Sequence, residues 1–165
     1  MIIRKGRVCD AARLRELGVL GWETTYAGFL RPENRRAYLN GPYWSVERLA
    51  AVIEADDCAT LVAEIAGSIV GFLMLEPHPS GNIELTRFYV DPSVRGQGIG
   101  GALWQAALAH PSAADGRAIL VNVFGDNRDG RRFYERLGFD LIEETTTNVG
   151  DQTVYDVWYR LPSLR

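Results

Sequence analysis

The stretch Val94-Arg95-Gly96-Gln97-Gly98-Ile99-Gly100-Gly101-Ala102-Leu103-Trp104 constrains this chain more than any other. It follows the β-prone run Asn82-Ile83-Glu84-Leu85-Thr86-Arg87-Phe88-Tyr89-Val90 and opens into an apolar helical pattern. Four glycines behind an arginine expose several backbone N–H groups at a helix start, where the aligned peptide dipoles favour negative charge. A strand, an anion-cradling loop, a helix and a further strand (residues 82–124) make one parallel crossover, so the fold must contain a sheet with a helix packed on it. Glycines that only permit close helix–strand packing explain the accompanying Arg95 less well.

The loop alone leaves its phosphate ligand open. Gly96-x-Gly98-x-x-Gly101 satisfies the dinucleotide fingerprint letter for letter. That site, however, wants its first glycine in a tight turn directly after the strand, and here Asp91 to Arg95 intervene. It also wants an acidic residue about 20 positions on, and Asp126 lies beyond that distance. No Gly-Lys-Ser/Thr follows, which excludes a Walker-type loop.

The rest of the chain fixes the fold class. Ile2-Ile3 reads as a short first strand, and Asp10 as the cap of a helix burying Leu14, Leu17 and Gly18. Pro32 suits the first turn of a helix through Leu39, and Ser45 the cap of one carrying Val46, Leu49, Ala50 and Ile53. Two apolar runs meet at a two-residue turn, Gly67-Ser68, as in a hairpin. Residues 117–124 read as a strand, and residues 127–137 as a helix closed by Gly138 with Phe139 behind it. A last hairpin turns at Gly150-Asp151. Strict βαβ alternation is absent, so the expected fold is α/β (α+β): a mixed, mostly antiparallel sheet with helices on both faces and one parallel crossover. At 165 residues without linker or repeat, a single domain over 1–165 is expected.

Composition narrows the partners. A net charge of −3 gives no global field for nucleic acid. Cys9, Cys58 and the two histidines are unclustered, which points to reduced thiols and no metal site. The N-terminal residues lack the apolar run of a signal peptide and no stretch is long enough to span a membrane, so a cytoplasmic location is expected.

The segment Tyr89-Val90-Asp91-Pro92-Ser93-Val94-Arg95-Gly96-Gln97-Gly98-Ile99-Gly100-Gly101 resembles the acyl-CoA loop of the GNAT superfamily of N-acetyltransferases, whose signature is Gln/Arg-x-x-Gly-x-Gly/Ala. Arg95, Gly98 and Gly100 fill it. The segment from Val123 to Phe139 is similar to that superfamily's next block, with Asn127 seven residues before Tyr134. The resemblance spans about Gly71 to Leu161.

It implies an acetyl-CoA-dependent N-acetyltransferase acting by direct transfer without metal. Amides of Gly96, Gln97, Gly98, Ile99, Gly100 and Gly101, with Arg95, are expected to receive the pyrophosphate, and Phe88, Tyr89 and Val90 to offer backbone groups to the pantetheine arm. Strands 82–91 and 117–124 should splay to admit that arm. Asn127 is expected beside the cofactor and equally suits a helix N-cap. Tyr134 is expected to protonate the leaving thiolate, since phenol and thiol reference pKa values differ by only about 1.5 units, while Phe133 faces the core. Relatives commonly carry a glutamate where this chain has Asn122, which cannot serve as a base. The alternative is Glu84, on a face with Thr86 and Phe88, acting directly or through water; it reads equally as an exposed strand carboxylate or an ion-pair partner of Arg87.

On the acceptor side, Trp22 and Tyr26, with Phe29 and Trp44, are candidates to flank an amine. Carboxylates at Glu23, Glu33, Glu47, Glu54, Asp56 and Asp57 suit the far end of a polyamine. Residues 23–39 and 147–161 resemble, more weakly, bacterial spermidine/spermine N-acetyltransferases. The expected partner is therefore a small-molecule amine or polyamine, with no nucleic acid and no membrane. A homodimer stays open. The alternatives are acetylation of a protein N-terminus or lysine, and a non-catalytic acyl-CoA sensor.

Overall fold

Long apolar runs in the middle of the chain leave no polar face, so they form strands covered on both sides. In the computed structural model, which describes residues 1–114 and 116–163, β1 (Ile2–Lys5), β2 (Ala59–Ile65), β3 (Ser68–Pro77), β4 (Ile83–Val90), β5 (Ile119–Phe124), β6 (Asp140–Val149) and β7 (Gln152–Leu161) form one sheet. Its order is β1-β2-β3-β4-β5-β7-β6, antiparallel throughout except for the pair β4–β5. Phe72, Leu73, Met74 and Leu75 are fully buried in succession on β3, and truncating any of them to Ala should cost about 2–5 kcal/mol.

Alternation along the strands divides the core in two. Leu61, Leu73, Leu75 and Val121 pack with Ile99, Leu103 and Trp104 of α4 (Ile99–Leu108), and the short α5 (Pro111–Ala114) follows on that face. Val62, Phe72 and Met74 face the other way, against α1 (Ala11–Thr25), α2 (Pro32–Leu39) and α3 (Val46–Glu54). Tyr134, Leu137 and Phe139, in and just after α6 (Arg128–Arg136), join the α4 side. Helices on both faces and a single parallel crossover are the architecture expected from the sequence. Among the described residues no helix is long and apolar enough to cross a membrane.

Local signals mostly act where the sequence places them. Pro32 opens α2, and Ser45 Oγ accepts the Arg48 N–H at 3.1 Å to start α3. After α6, Phe139 N–H donates to Tyr134 O and Gly138 N–H to Glu135 O, with Gly138 at φ +90°, a Schellman closure.

Three readings need correction. The β2–β3 turn is Ala66-Gly67, one residue earlier than expected, because both take the positive φ (48° and 78°) of a right-twisting two-residue turn. Asp10 does not cap α1 through its side chain; its carboxylate accepts from Arg7 N–H (2.8 Å) and from Arg4 Nη1 (2.7 Å). Third, β4 carries an extra residue: Arg87 pairs with Met74 and Leu85 with Leu75, leaving Thr86 unmatched. This bulge reverses the alternation. Phe88 therefore joins the α4-side core with Leu85, and does not share the face of Glu84 and Thr86.

Candidate active site

β4 and β5 pair only at Ile83↔Ile119 and Glu84↔Leu120. Beyond them β5 continues to pair with β7 from Val121↔Tyr159 to Phe124↔Asp156, while β4 bends at its bulge and stays with β3. The strands part, and the gap opens into a cavity of about 530 Å³. Phe88, Tyr89 and Val90 line one wall, Val121, Asn122 and Val123 the other.

One end of this slot is the glycine loop. Asp91 Oδ1 accepts from Ser93 N–H at 2.9 Å and sets the single turn Pro92–Val94 that leads into it. Gly96 and Gly98 both sit at φ +78°, where an L side chain costs about 1–2 kcal/mol. Gly98 is the left-handed residue before α4, whose first amides have no acceptor within the helix. A Cβ at Gly96, Gly98 or Gly101 would meet nothing within 4 Å, so these glycines border open space at a helix start, the kind of place that suits a phosphate. Arg95, Gly96, Gly98, Ile99, Gly100 and Gly101 line the slot; Gln97 is exposed and stands outside its lining.

The α6 side supplies the polar groups. Asn127 Oδ1 accepts Gly130 N–H at 3.0 Å, so it is a helix N-cap, and it also lines the slot; the two readings of this residue coexist. Tyr134 lines the slot as well, and burial pushes its phenol well above the ordinary value, with the Tyr26 phenol adding to the effect. It therefore stays protonated through neutral and mildly alkaline pH. Phe133 is not a core residue: it is partly exposed, stacks edge-on against Phe88 at 5.4 Å and lines the slot beside Tyr134. A nine-residue amphipathic helix resting on the mouth of a slot turns its apolar face partly into that mouth.

The two expected acceptor aromatics separate. Tyr26 lines the slot, its phenol pushed up to about 12 by burial. Trp22 lies behind it, donating from Nε1 to Tyr89 Oη at 3.0 Å and stacked on Tyr38 at 4.5 Å. Gly21 makes this possible, since a Cβ there would stand 2.4 Å from Tyr89 Cδ1. The carboxylates proposed for a polyamine are outside the lining; Glu23 is paired with Arg35 and Glu33 with Arg31. Glu84 is half-buried directly opposite Glu76, and burial first, then that neighbour, raises its pKa. It too stands outside the lining.

Sequence reasoning missed two features on the α1–α3 face. Arg87 is buried, with its guanidinium 3.8 Å from the Tyr43 ring centre and 2.7 Å from Glu76 Oε1. Arg48 closes the network on Glu76 Oε2. The second is on β7: Asn122 Nδ2 donates to Asp156 Oδ2 at 2.8 Å, and Asp156 is only 5% exposed. Its other oxygen, Oδ1, is buried with no hydrogen-bond partner among the described residues. Burial raises its pKa, against the lowering effects of the Asn122 bond and of the Val157 backbone N–H. An aspartate in the middle of Val154-Tyr155-Asp156-Val157-Trp158 was the visible signal, because such a position is inward on one face or the other.

Known proteins place this architecture. The family model described as "Acetyltransferase (GNAT) family" matches residues 22–139. An uncharacterised N-acetyltransferase of Mycobacterium bovis is 31% identical over 121 residues, covering 72% of this chain and 76% of the relative. A mycothiol acetyltransferase of Thermomonospora curvata is 33% identical over 112 residues, 64% of this chain, and the match spans only 38% of that relative's length. An uncharacterised N-acetyltransferase of Methanocaldococcus jannaschii is matched over half its length, at 30% identity and 64% of this chain. Among solved structures, PaiA N-acetyltransferase of Thermoplasma acidophilum, in complex with coenzyme A, superposes with a TM-score of 0.80 over 97% of this chain and 98% of that one, at 24% identity. The parted strands, the left-handed glycine loop and these matches agree: the chain belongs to the GNAT acetyltransferase family.

Proposed function

We propose that this protein transfers the acetyl group of acetyl-CoA to a primary amine by direct attack, with a small-molecule amine or polyamine as acceptor. The observation that carries the reading is the slot itself. It has an anion-ready helix start at one end, parted strands along its length, and a protonated phenol in its wall.

The loop amides from Gly96 to Gly101 and Arg95 suit the pyrophosphate, and the free backbone edge of β4 at Phe88, Tyr89 and Val90 suits the pantetheine amides. An amine entering from the α1–α3 face meets the thioester where β4 and β5 diverge. Attack forms the C–N bond, and collapse breaks the C–S bond. Tyr134 supplies the proton to the departing sulfur, which a phenol held neutral by burial is suited to do. Asn127 holds the start of α6 and so the position of Tyr134. Tyr26, whose phenol interacts electrostatically with those of Tyr134 and Tyr38, faces the same space. Glu84 contributes negative potential on the acceptor face without direct contact with the slot.

The test has two stages. Acetyl-CoA should raise the melting temperature and NAD should not, because a ligand that binds only the folded chain stabilises it. Release of CoA thiol is then followed with spermidine, butylamine and a short peptide as acceptors. Turnover of the peptide alone would move the acceptor to proteins. Binding without turnover of any amine would leave an acyl-CoA sensor.

A further inference from the structure

Resting on that reading, we infer that Asp156 Oδ1, one hydrogen bond behind the slot-lining Asn122 and itself outside the lining, is the atom that receives the acceptor's ammonium, and that Asn122 holds this carboxylate against the slot wall. A carboxylate removed from water needs donors on both oxygens. Asp156 has the Asn122 amide on Oδ2 at 2.8 Å and, among the described residues, nothing on Oδ1. The buried carboxylate nearby is satisfied by contrast, since Glu76 takes Thr86 and Arg87 on one oxygen and Arg48 on the other, although Arg87 Nε in the same network has no partner among the described residues. The open oxygen thus calls for a donor from outside the chain.

Position says which donor. Asn122 lines the slot, and Asp156 lies across from Phe124 at the end of β5, beyond the point where β4 has left. Val157 and Tyr159 belong to the α4-side core, so Asp156 faces the α1–α3 side, from which the acceptor arrives. Phe124 there packs edge-on against Trp22, Tyr26 and Phe29, at 5.1–6.0 Å between ring centres. Aromatic walls ending at a carboxylate suit an alkylammonium. The titratable group that interacts electrostatically with this carboxylate is Tyr38 on α2, which also interacts with Arg87 and Glu84 of β4. Tyr38 is 37% exposed, so this side communicates with solvent.

The proton count closes. The ammonium sheds two protons as it becomes an amide: one passes to Asp156 Oδ1 and on to solvent, and the other ends on the CoA sulfur by way of Tyr134. The nitrogen lone pair makes the C–N bond, and the C–S pair leaves with sulfur. Burial, by raising the Asp156 carboxyl, makes it a better proton acceptor than an exposed aspartate.

Asp156→Asn keeps the shape and a hydrogen-bonding group for Asn122 while removing the negative oxygen. With whichever of spermidine, butylamine or the short peptide the wild type acetylates best, kcat/KM at pH 7 should fall by about a hundredfold or more. The acetyl-CoA Kd should stay within about twofold. The deficit should shrink as pH rises toward the amine's own pKa, since a neutral amine needs no proton acceptor. A merely structural aspartate would give a deficit independent of pH. Asn122→Ala, which frees the carboxylate without removing it, should lose about tenfold with the same pH trend, and it decides the matter if Asp156→Asn fails to bind acetyl-CoA. An Asp156→Asn variant equal to wild type, or deficient equally at every pH, overturns the inference and leaves the transferase reading standing. A wild type that acetylates none of the three amines overturns the transferase reading, and this inference with it.

Discussion

The two faces of the sheet are built from different materials. On the α4 face the core mixes aliphatic residues, among them Leu61, Leu73, Ile99 and Leu103, with Trp104, Phe139 and Tyr159 but buries no charged side chain among the described residues, and what the loop before α4 brings to the slot is backbone freed by Gly96 and Gly98. On the α1–α3 face the packing is aromatic, with Trp22, Tyr26, Tyr43, Trp44 and Tyr89 in mutual contact, and polar groups are buried among them: Arg87, Glu76, Arg35, Asn34 and Asp156. The contrast fits a division of labour. A diphosphate needs only amides and a dipole, which a short loop supplies wherever it occurs. An amine acceptor needs oriented side chains from several elements, and holding those in a core requires compensating partners such as Arg48 and Asn122.

The largest expected effect falls where the two faces meet. Tyr134→Phe removes only the phenol proton, so kcat should drop by about 10²–10⁴-fold while the KM for acetyl-CoA changes little. Because burial raises this phenol, the wild-type kcat should show no alkaline loss from Tyr134 below the usual phenol range. An unchanged kcat, with chemistry shown to be rate-limiting, would reduce Tyr134 to packing.

The next two variants strain one face each. A Cβ at Gly18 would stand 1.9 Å from Trp44 Cζ3, so Gly18→Ala forces the fully buried indole to move, at about 1–3 kcal/mol. The melting temperature should fall and the amine KM rise, while acetyl-CoA affinity stays the same. Gly98→Ala meets no atom within 4 Å and suffers only its positive φ, about 1–2 kcal/mol. It should weaken acetyl-CoA roughly tenfold, the equivalent of 1.4 kcal/mol, with the amine KM unaltered. If either variant affects both ligands equally, the two faces are not separable.

This division also sets how much could be read from sequence. The caps at Ser45 and Asn127 and the glycine loop that opens α4 are local, each written in fewer than ten consecutive residues, and the structure has them where they were read. The parting of β4 and β5 followed from the family resemblance. The bulge at Thr86 did not, because nothing in Leu85-Thr86-Arg87 marks which residue goes unpaired until β3 is beside it. That one residue moved Phe88 off the face assigned to Glu84. Asn122 and Asp156 are 34 positions apart in sequence and meet only through the β5–β7 register, so their pairing was invisible until the strands were aligned.

Glu84 gives the smallest expected effect and the sharpest check on the comparison. Its pKa is raised, chiefly by burial and further by Glu76 opposite, so the ionised form is worse off in the folded chain than in the unfolded one. The sign follows from linkage: the wild type loses stability as pH rises from the unfolded carboxylate pKa through the folded one, and a glutamine avoids that loss. Glu84→Gln should therefore melt above wild type at pH 7 and together with it near pH 3, where the carboxyl is neutral in both states. Standing outside the slot, the Glu84 charge acts on the ammonium at a distance, an effect on the order of 1 kcal/mol or about fivefold in kcat/KM. Thermal melts at the two pH values and amine kinetics at pH 7 measure both. A loss of activity matching that of Asp156→Asn would move the proton acceptor onto β4, and the acceptor face would then be run by the residue that the sequence alone had singled out.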